Sequence, residues 1–411
     1  MRHRLQNAIA ESTLTLPLTA VVATLLWWLP QGGYTSTALH AWFVAALTTY
    51  FVIELTTANA LLRTRSQMAA VLVLAFLGAS GYLHTHRAAL IVMLAAAMAH
   101  HYLLHTAPQS SSADDVASSR GGGGLGGFAR AKNRPQVATF HAFACLSLGS
   151  IEWPPLLLFA LPLLWSQAIY LRSITWRCLG AALIGIVLPY TLWAAAALFA
   201  KTLAEVQQPT PALIVPDTTS PVPATPASAL GAQLTFAAFT AHCEAIIAPV
   251  AEPVTTAISG QFPTPQPYAM WLAAESGAPA AVAAWVTPRL ARCLLLAVAA
   301  LLALTGFVHY VRRSYDDKIR VRMSHYTFLT TMAVAALWLA LQPRHFDHLF
   351  PLLVLAMAPS AAHFVALTRT WLTNAWVVVL ALALVAIGVV NLVPDVQAYM
   401  SAATAYVRQL L

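Results

Sequence analysis

Within five residues near the end of the chain, RHFDH places Arg344, His345, Asp347 and His348 together. A guanidinium can bind phosphate or pyrophosphate through two parallel hydrogen bonds. An imidazole or a carboxylate beside it can serve as acid or base. The run leads straight into an apolar segment long enough to cross a bilayer, LFPLLVLAMAPSAAHF. It therefore reads either as a membrane-surface anchor or as the polar floor of a site. Two other short turns carry groups that could join it: GYLHTHRAAL, with His84, His86 and Arg87, and SIEWPP, with Glu152. If these turns converge, Arg87, Arg344, His345, Asp347 and His348 surround a shallow polar site. The plainer alternative is that each turn is solvated at its own helix end.

Glu54 lies inside the apolar run YFVIELTTANALL. A carboxylate within a membrane is expensive, so it is expected to face the bundle with a partner; the alternative is that it pairs with Arg63 or reaches water near the helix end. The expected roles are thus acid or base for Asp347, His345 and His348, and substrate binding for Arg344, Arg87 and Glu54. His101 and His105 share a helical face in an H-x-x-x-H pair. They lack the adjacent glutamate of zinc-protease helices and an acidic third ligand. The Asp316-Asp317 pair sits in HYVRRSYDDKIRVRMSHY, which reads as a solvated turn whose arginines satisfy both carboxylates. SSSADDVASSRGGGGLGGFARAKNRP has glycines but neither the strand nor the Lys-Ser or Lys-Thr helix of a phosphate loop, so it reads as a flexible linker. Cys145, Cys178, Cys243 and Cys293 have no metal-like spacing. No cofactor, metal or nucleic acid is expected.

The elements that must carry these groups follow from composition. Of 411 residues, 59% are hydrophobic and only 9% charged, against roughly 25% charged in soluble domains. Too few polar side chains exist to coat a globule, so the lipid bilayer is the expected surrounding. The apolar stretches match the roughly 20 residues a helix needs to cross the hydrocarbon core. The fold class is all-α, a polytopic transmembrane bundle, with spans expected at 13–30, 38–58, 67–84, 88–106, 136–151, 154–171, 177–200, 289–311, 326–342, 348–368 and 373–394. These eleven group into residues 1–106, 136–200 and 289–394, separated by the 107–135 linker and a large loop at 201–288, with a tail at 395–411. Two semi-apolar segments of that loop, 229–250 and 268–286, are expected to lie in the interface; if both insert, the count becomes thirteen.

Lys and Arg in short loops concentrate on the cytoplasmic side. With the N-terminus inside, sixteen of the 22 basic residues are cytoplasmic and six are not: Arg87, Lys201, Arg289, Arg292, Arg344 and Arg408. The C-terminus is then outside. Arg344 is notable as an exception that topology does not require.

RHFDHLFPLLVLAMAP, with Arg344, Pro351 and Pro359, resembles the late segment of membrane-embedded glycosyltransferases of the GT-C type. That resemblance implies action on a polyprenyl-phosphate-linked glycan at the outer face. The first outer loop, QGGYTSTALHAW, departs from it by lacking the Asp or Glu those enzymes carry there. The segments IEWPPLLLFALPLLWSQAIYLRSITWRCLGAALIGIVLPYTLW and 326–394 resemble an uncharacterised family of bacterial polytopic inner-membrane proteins, which implies a location in the cell envelope and no reaction. Three functions are carried forward: handling of a lipid-linked glycan, a non-catalytic scaffold for envelope export that contacts anionic lipid, and a transporter or flippase. The last rests on Glu54, the intramembrane histidines and the Pro189-interrupted helix; no internal repeat accompanies them.

Overall fold

The computed structural model describes residues 12, 14–28, 36–59, 61–62, 66–82, 86–106, 135–207, 241–242, 244–246, 279–342, 345–368 and 370–392. These are helical with short connections, and no strand occurs among them. In chain order the helices are α1 (Thr15–Trp28), α2 (Ser36–Ala58), α3 (Met68–Ser80), α4 (Arg87–Leu104), α5 (Pro135–Glu152), α6 (Ala160–Ile169), α7 (Trp176–Gln207), α8 (Pro279–Arg313), α9 (Ile319–Leu341), α10 (Phe346–Leu367) and α11 (Trp371–Leu392). A 3₁₀ turn at Pro154–Phe159 precedes α6, and another at Ser314–Asp316 follows α8. Pro154 and Pro155 suit the opening of a helix, where an absent amide hydrogen loses no bond.

Among the described residues, six helices are long and apolar enough to cross a membrane: Leu39–Ala58, Arg87–Leu104, Trp176–Ala196, Arg292–Asp316, Ile319–Leu341 and Phe346–Leu367. Shorter apolar helices occupy Thr15–Leu25, Met68–Ser80, Pro154–Ile169 and Thr373–Val389. Helix boundaries differ from the expected spans mainly by extension. Helix α7 runs on to Gln207, α8 begins at Pro279, and α9 begins at Ile319 so that Arg320 and Arg322 are helical. The 107–135 linker, apart from Pro135, lies outside the described residues, as do nearly all of 208–278 and the tail from 393 onward.

Helix α10 is the axis of the bundle. It packs against α3, α4, α8 and α9, and its membrane-length window is 100% buried, whereas that of α7 is only 22% buried. Leu183, Ile184, Leu192 and Leu198 of α7 point outward, as a lipid-facing surface requires. Lipid tails are as apolar as leucine, so burial alone does not drive these helices together; close van der Waals fit and hydrogen bonds between helices do. Small residues provide that fit. On α8, a Cβ built at Gly306 would meet the Ala361 amide nitrogen and the Ser360 carbonyl carbon, each at 3.0 Å. Helix α5, the shortest expected span, is packed between α4 and α7. Ser147 on it donates a 2.7 Å hydrogen bond to the Ile186 carbonyl of α7.

The two ends of α10 define the two ends of the bundle. Asp347 lies in its first turn and His363 just before its last. At the His363 end are the arginines of the α8–α9 connection, Arg312, Arg313, Arg320 and Arg322.

Candidate functional site

At the start of α10, Asp347 is held by three groups from two other parts of the chain, the α3–α4 connection and α8. The Tyr82 hydroxyl donates to Asp347 Oδ1 at 3.3 Å. Arg292 Nη2 of α8 lies 3.4 Å from the same oxygen, and His86 Nε2 lies 3.7 Å from it. Local structure explains each approach. Gly81 caps α3 with φ 71°, a left-handed conformation in which a side chain would be strained, and it turns the chain so that Tyr82 faces α10. His86 immediately precedes α4, and its ring packs edge-on against Tyr82 at 4.9 Å. Asp347 in the first turn of α10 sits at the positive end of the helix dipole.

An aromatic group adjoins this carboxylate. Trp153 stacks on His348 with ring centroids 5.1 Å apart and planes 9° apart. Trp338 of α9 lies 5.7 Å from Trp153 and donates its indole hydrogen to Gln342 Oε1 at 3.2 Å. His345 sits 5.8 Å from Trp153 and 6.4 Å from Trp338. Arg292 spreads over the Phe346 ring at 5.9 Å. The side chains of Asp347 and Arg292 keep 27% and 36% of their surface exposed, so both remain open to a ligand. Burial holds His86 below the ordinary histidine range, despite an opposing pull from Asp347. At neutral pH it therefore meets Asp347 as a neutral imidazole, and Arg292 is the charged partner.

The structure thus brings Asp347, His345 and His348 together with the turns at 82–86 and 152–154. It places Arg87 elsewhere, exposed on α4 with no contact to Asp347. Arg344 lies outside the described residues. Glu54 is on α2, one turn from its C-terminal end. It belongs to neither the Asp347 group nor a pairing across the bundle with it. The His101 and His105 rings lie 4.6 Å apart with their planes tilted by 55°; among the described residues no set of three His, Cys, Asp or Glu groups is placed to hold a metal.

Arg292 supplies the charge that Arg87 was expected to bring. Its signal in the sequence was the same as that of Arg344, a basic residue on the sparse side of the charge distribution. Tyr82, Trp153 and Trp338 carried no such signal, because aromatic residues at helix ends are common interfacial anchors. No protein-family model matches the chain, no curated protein matches it, and no solved structure matches it.

The opposite end of α10 differs from expectation. Asp317 is not solvated with its neighbour Asp316. Its side chain is 2% exposed and lies 3.4 Å from His363 Nε2, which is fully buried. Asp316 is the surface member, 56% exposed and 3.9 Å from Arg313. The turn at 314–317 folds back so that one carboxylate enters the bundle while the other leaves it.

Proposed function

We propose that the chain is an eleven-span membrane protein with its N-terminus in the cytoplasm, and that its Asp347 patch engages a lipid-linked glycan at the outer face of a bacterial inner membrane. The observation that carries this reading is the partly exposed Arg292–Asp347 pair beside the Trp153, Trp338, His345 and His348 rings. Arg292 provides a bidentate donor for a phosphate or pyrophosphate, and Arg344 precedes α10 by two residues in the sequence. Sugar rings present apolar faces that pack on aromatic side chains and hydroxyls that a carboxylate accepts. Asp347 and its histidine neighbours stand where an acid or base would be needed.

The test is binding of a polyprenyl-pyrophosphate oligosaccharide to the protein in nanodiscs, with phosphatidylglycerol as competitor. Arg292→Ala and Asp347→Ala are each expected to weaken binding about tenfold or more, in line with the loss of a charge-assisted hydrogen bond, while the protein accumulates normally. Equal binding by both variants and the native chain would reduce the patch to an anchor and leave a scaffold as the better description. Displacement of the oligosaccharide by phosphatidylglycerol at similar concentration would identify the ligand as a headgroup.

The spanning arrangement has its own test. Reporter fusions at Asp115 and Lys318 are expected on one side and those at Ser220 and His345 on the other. Ser220 and Lys318 on the same side would rule out eleven spans.

A further inference from the structure

The His363 end of α10 is a cluster of titratable groups within the bundle, contributed by three helices and a turn. His309 and Tyr310 come from the last turns of α8, Asp317 from the connection, His325 from α9 and His363 from α10. Tyr310 and His325 pack with ring centroids 4.3 Å apart, Tyr310 and His363 at 5.3 Å, His325 and His363 at 5.8 Å, and His309 and His363 at 5.4 Å. Tyr310, His325 and His363 are each 0% exposed. So dense a group of ionisable side chains inside a membrane protein marks a functional place by default, because each is costly to keep there.

Hydrogen bonding fixes what one member can do. His325 Nε2 lies 3.0 Å from the Leu61 carbonyl oxygen. A carbonyl only accepts, so Nε2 carries the hydrogen and Nδ1 is the bare nitrogen of the neutral ring. That Nδ1 is buried and has no hydrogen-bond partner, and neither have the Tyr310 hydroxyl and His309 Nε2. A core built only for stability would satisfy such atoms. His100, deeper in the bundle, is the contrast: its Nδ1 reaches the Ala96 carbonyl at 2.7 Å and its Nε2 the Thr331 hydroxyl at 3.0 Å.

We propose that Asp317, His363 and His325 form a proton-binding relay at the arginine-rich end of the bundle. A proton enters from solvent at the 314–317 turn, where Asp317 carries it inward. It moves to His363, which becomes an imidazolium paired with the Asp317 carboxylate. It then passes to His325 Nδ1, leaving His363 neutral, with the Tyr310 ring packed against both imidazoles. Besides these, the charged and titratable groups facing the relay are His309 and Tyr310 of α8, Arg322 and Tyr326 of α9, and Arg313 next to His309. Arg322 and Arg313 are positive and disfavour a permanently charged relay, which suits release as well as loading. The inference goes beyond the glycan reading and does not rest on it.

The experiment is hydrogen–deuterium exchange at the imidazole Cε1 position, followed residue by residue by mass spectrometry as a function of pH, on the full chain in nanodiscs. His363 and His325 are both expected to titrate in the native protein. Asp317→Asn is expected to displace the His363 curve by about one pH unit or more, and His363→Gln to displace that of His325, with exposed His40 unchanged in both. Native His363 or His325 failing to titrate would overturn the relay without reference to any variant. Curves unmoved by either substitution would overturn it as well, since independent structural histidines would behave so.

Discussion

Gly185→Ala is expected to destabilise the bundle by about 1–3 kcal/mol, while Gly180→Ala on the same helix leaves it unchanged or slightly more stable. A Cβ at Gly185 would stand 2.6 Å from the Phe140 carbonyl oxygen and 3.1 Å from the Ala144 amide nitrogen of α5. Both are backbone atoms within a helix, so neither can swing aside, and α5 and α7 must separate. That separation strains the Ser147 bond to the Ile186 carbonyl, the residue after Gly185. At Gly180 nothing lies within 4 Å of the added carbon, so only the better helix propensity of alanine, about 1 kcal/mol, remains. Thermal unfolding in detergent, read by size-exclusion chromatography of the heated samples, separates the two variants. Equal midpoints would mean that the α5–α7 contact is not set by glycine.

Asp317→Ala is expected to be the most damaging single change in the α8–α9 connection, and Asp316→Ala among the least. Removing one partner of a buried ion pair typically costs about 3–5 kcal/mol, because the remaining group keeps its desolvation without its partner. An exposed pair is worth about 0–1 kcal/mol. The Asp317–His363 contact is buried and becomes an ion pair of the first kind when His363 is protonated, whereas the Arg313–Asp316 pair is of the second. Abundance in the membrane and thermal midpoint are the measurements. Similar losses from both substitutions would show that Asp317 is solvated.

These adjacent aspartates also mark where sequence reading ran out. The helical architecture was legible because a shortage of charge and runs of apolar residues are properties of the chain alone. Which of two neighbouring carboxylates turns inward depends on a 3₁₀ turn and on a histidine 46 positions later, and no local pattern encodes that. At the other end, the convergence of Asp347, His345 and His348 with the 82–86 and 152–154 turns followed from helix alternation, which brings every second connection to the same side. The choice of Arg292 over Arg87 did not, since it depends on rotation of α4 and α8 about their own axes. Histidine count was a similarly blunt guide. His100, His325 and His363 differ by their neighbours, a threonine, a backbone carbonyl and an aspartate, each from a different part of the chain.

The burial of α10 has a consequence for how the protein is made. Its neighbours α3 and α4 leave the ribosome long before it, and α8 and α9 just before it. The faces of α3 and α4 that α10 covers therefore lack this partner until residue 367 has been synthesised. Loop closure over so long a separation is slow, so the entry of α10 is a late step of assembly, with only α11 still to follow it.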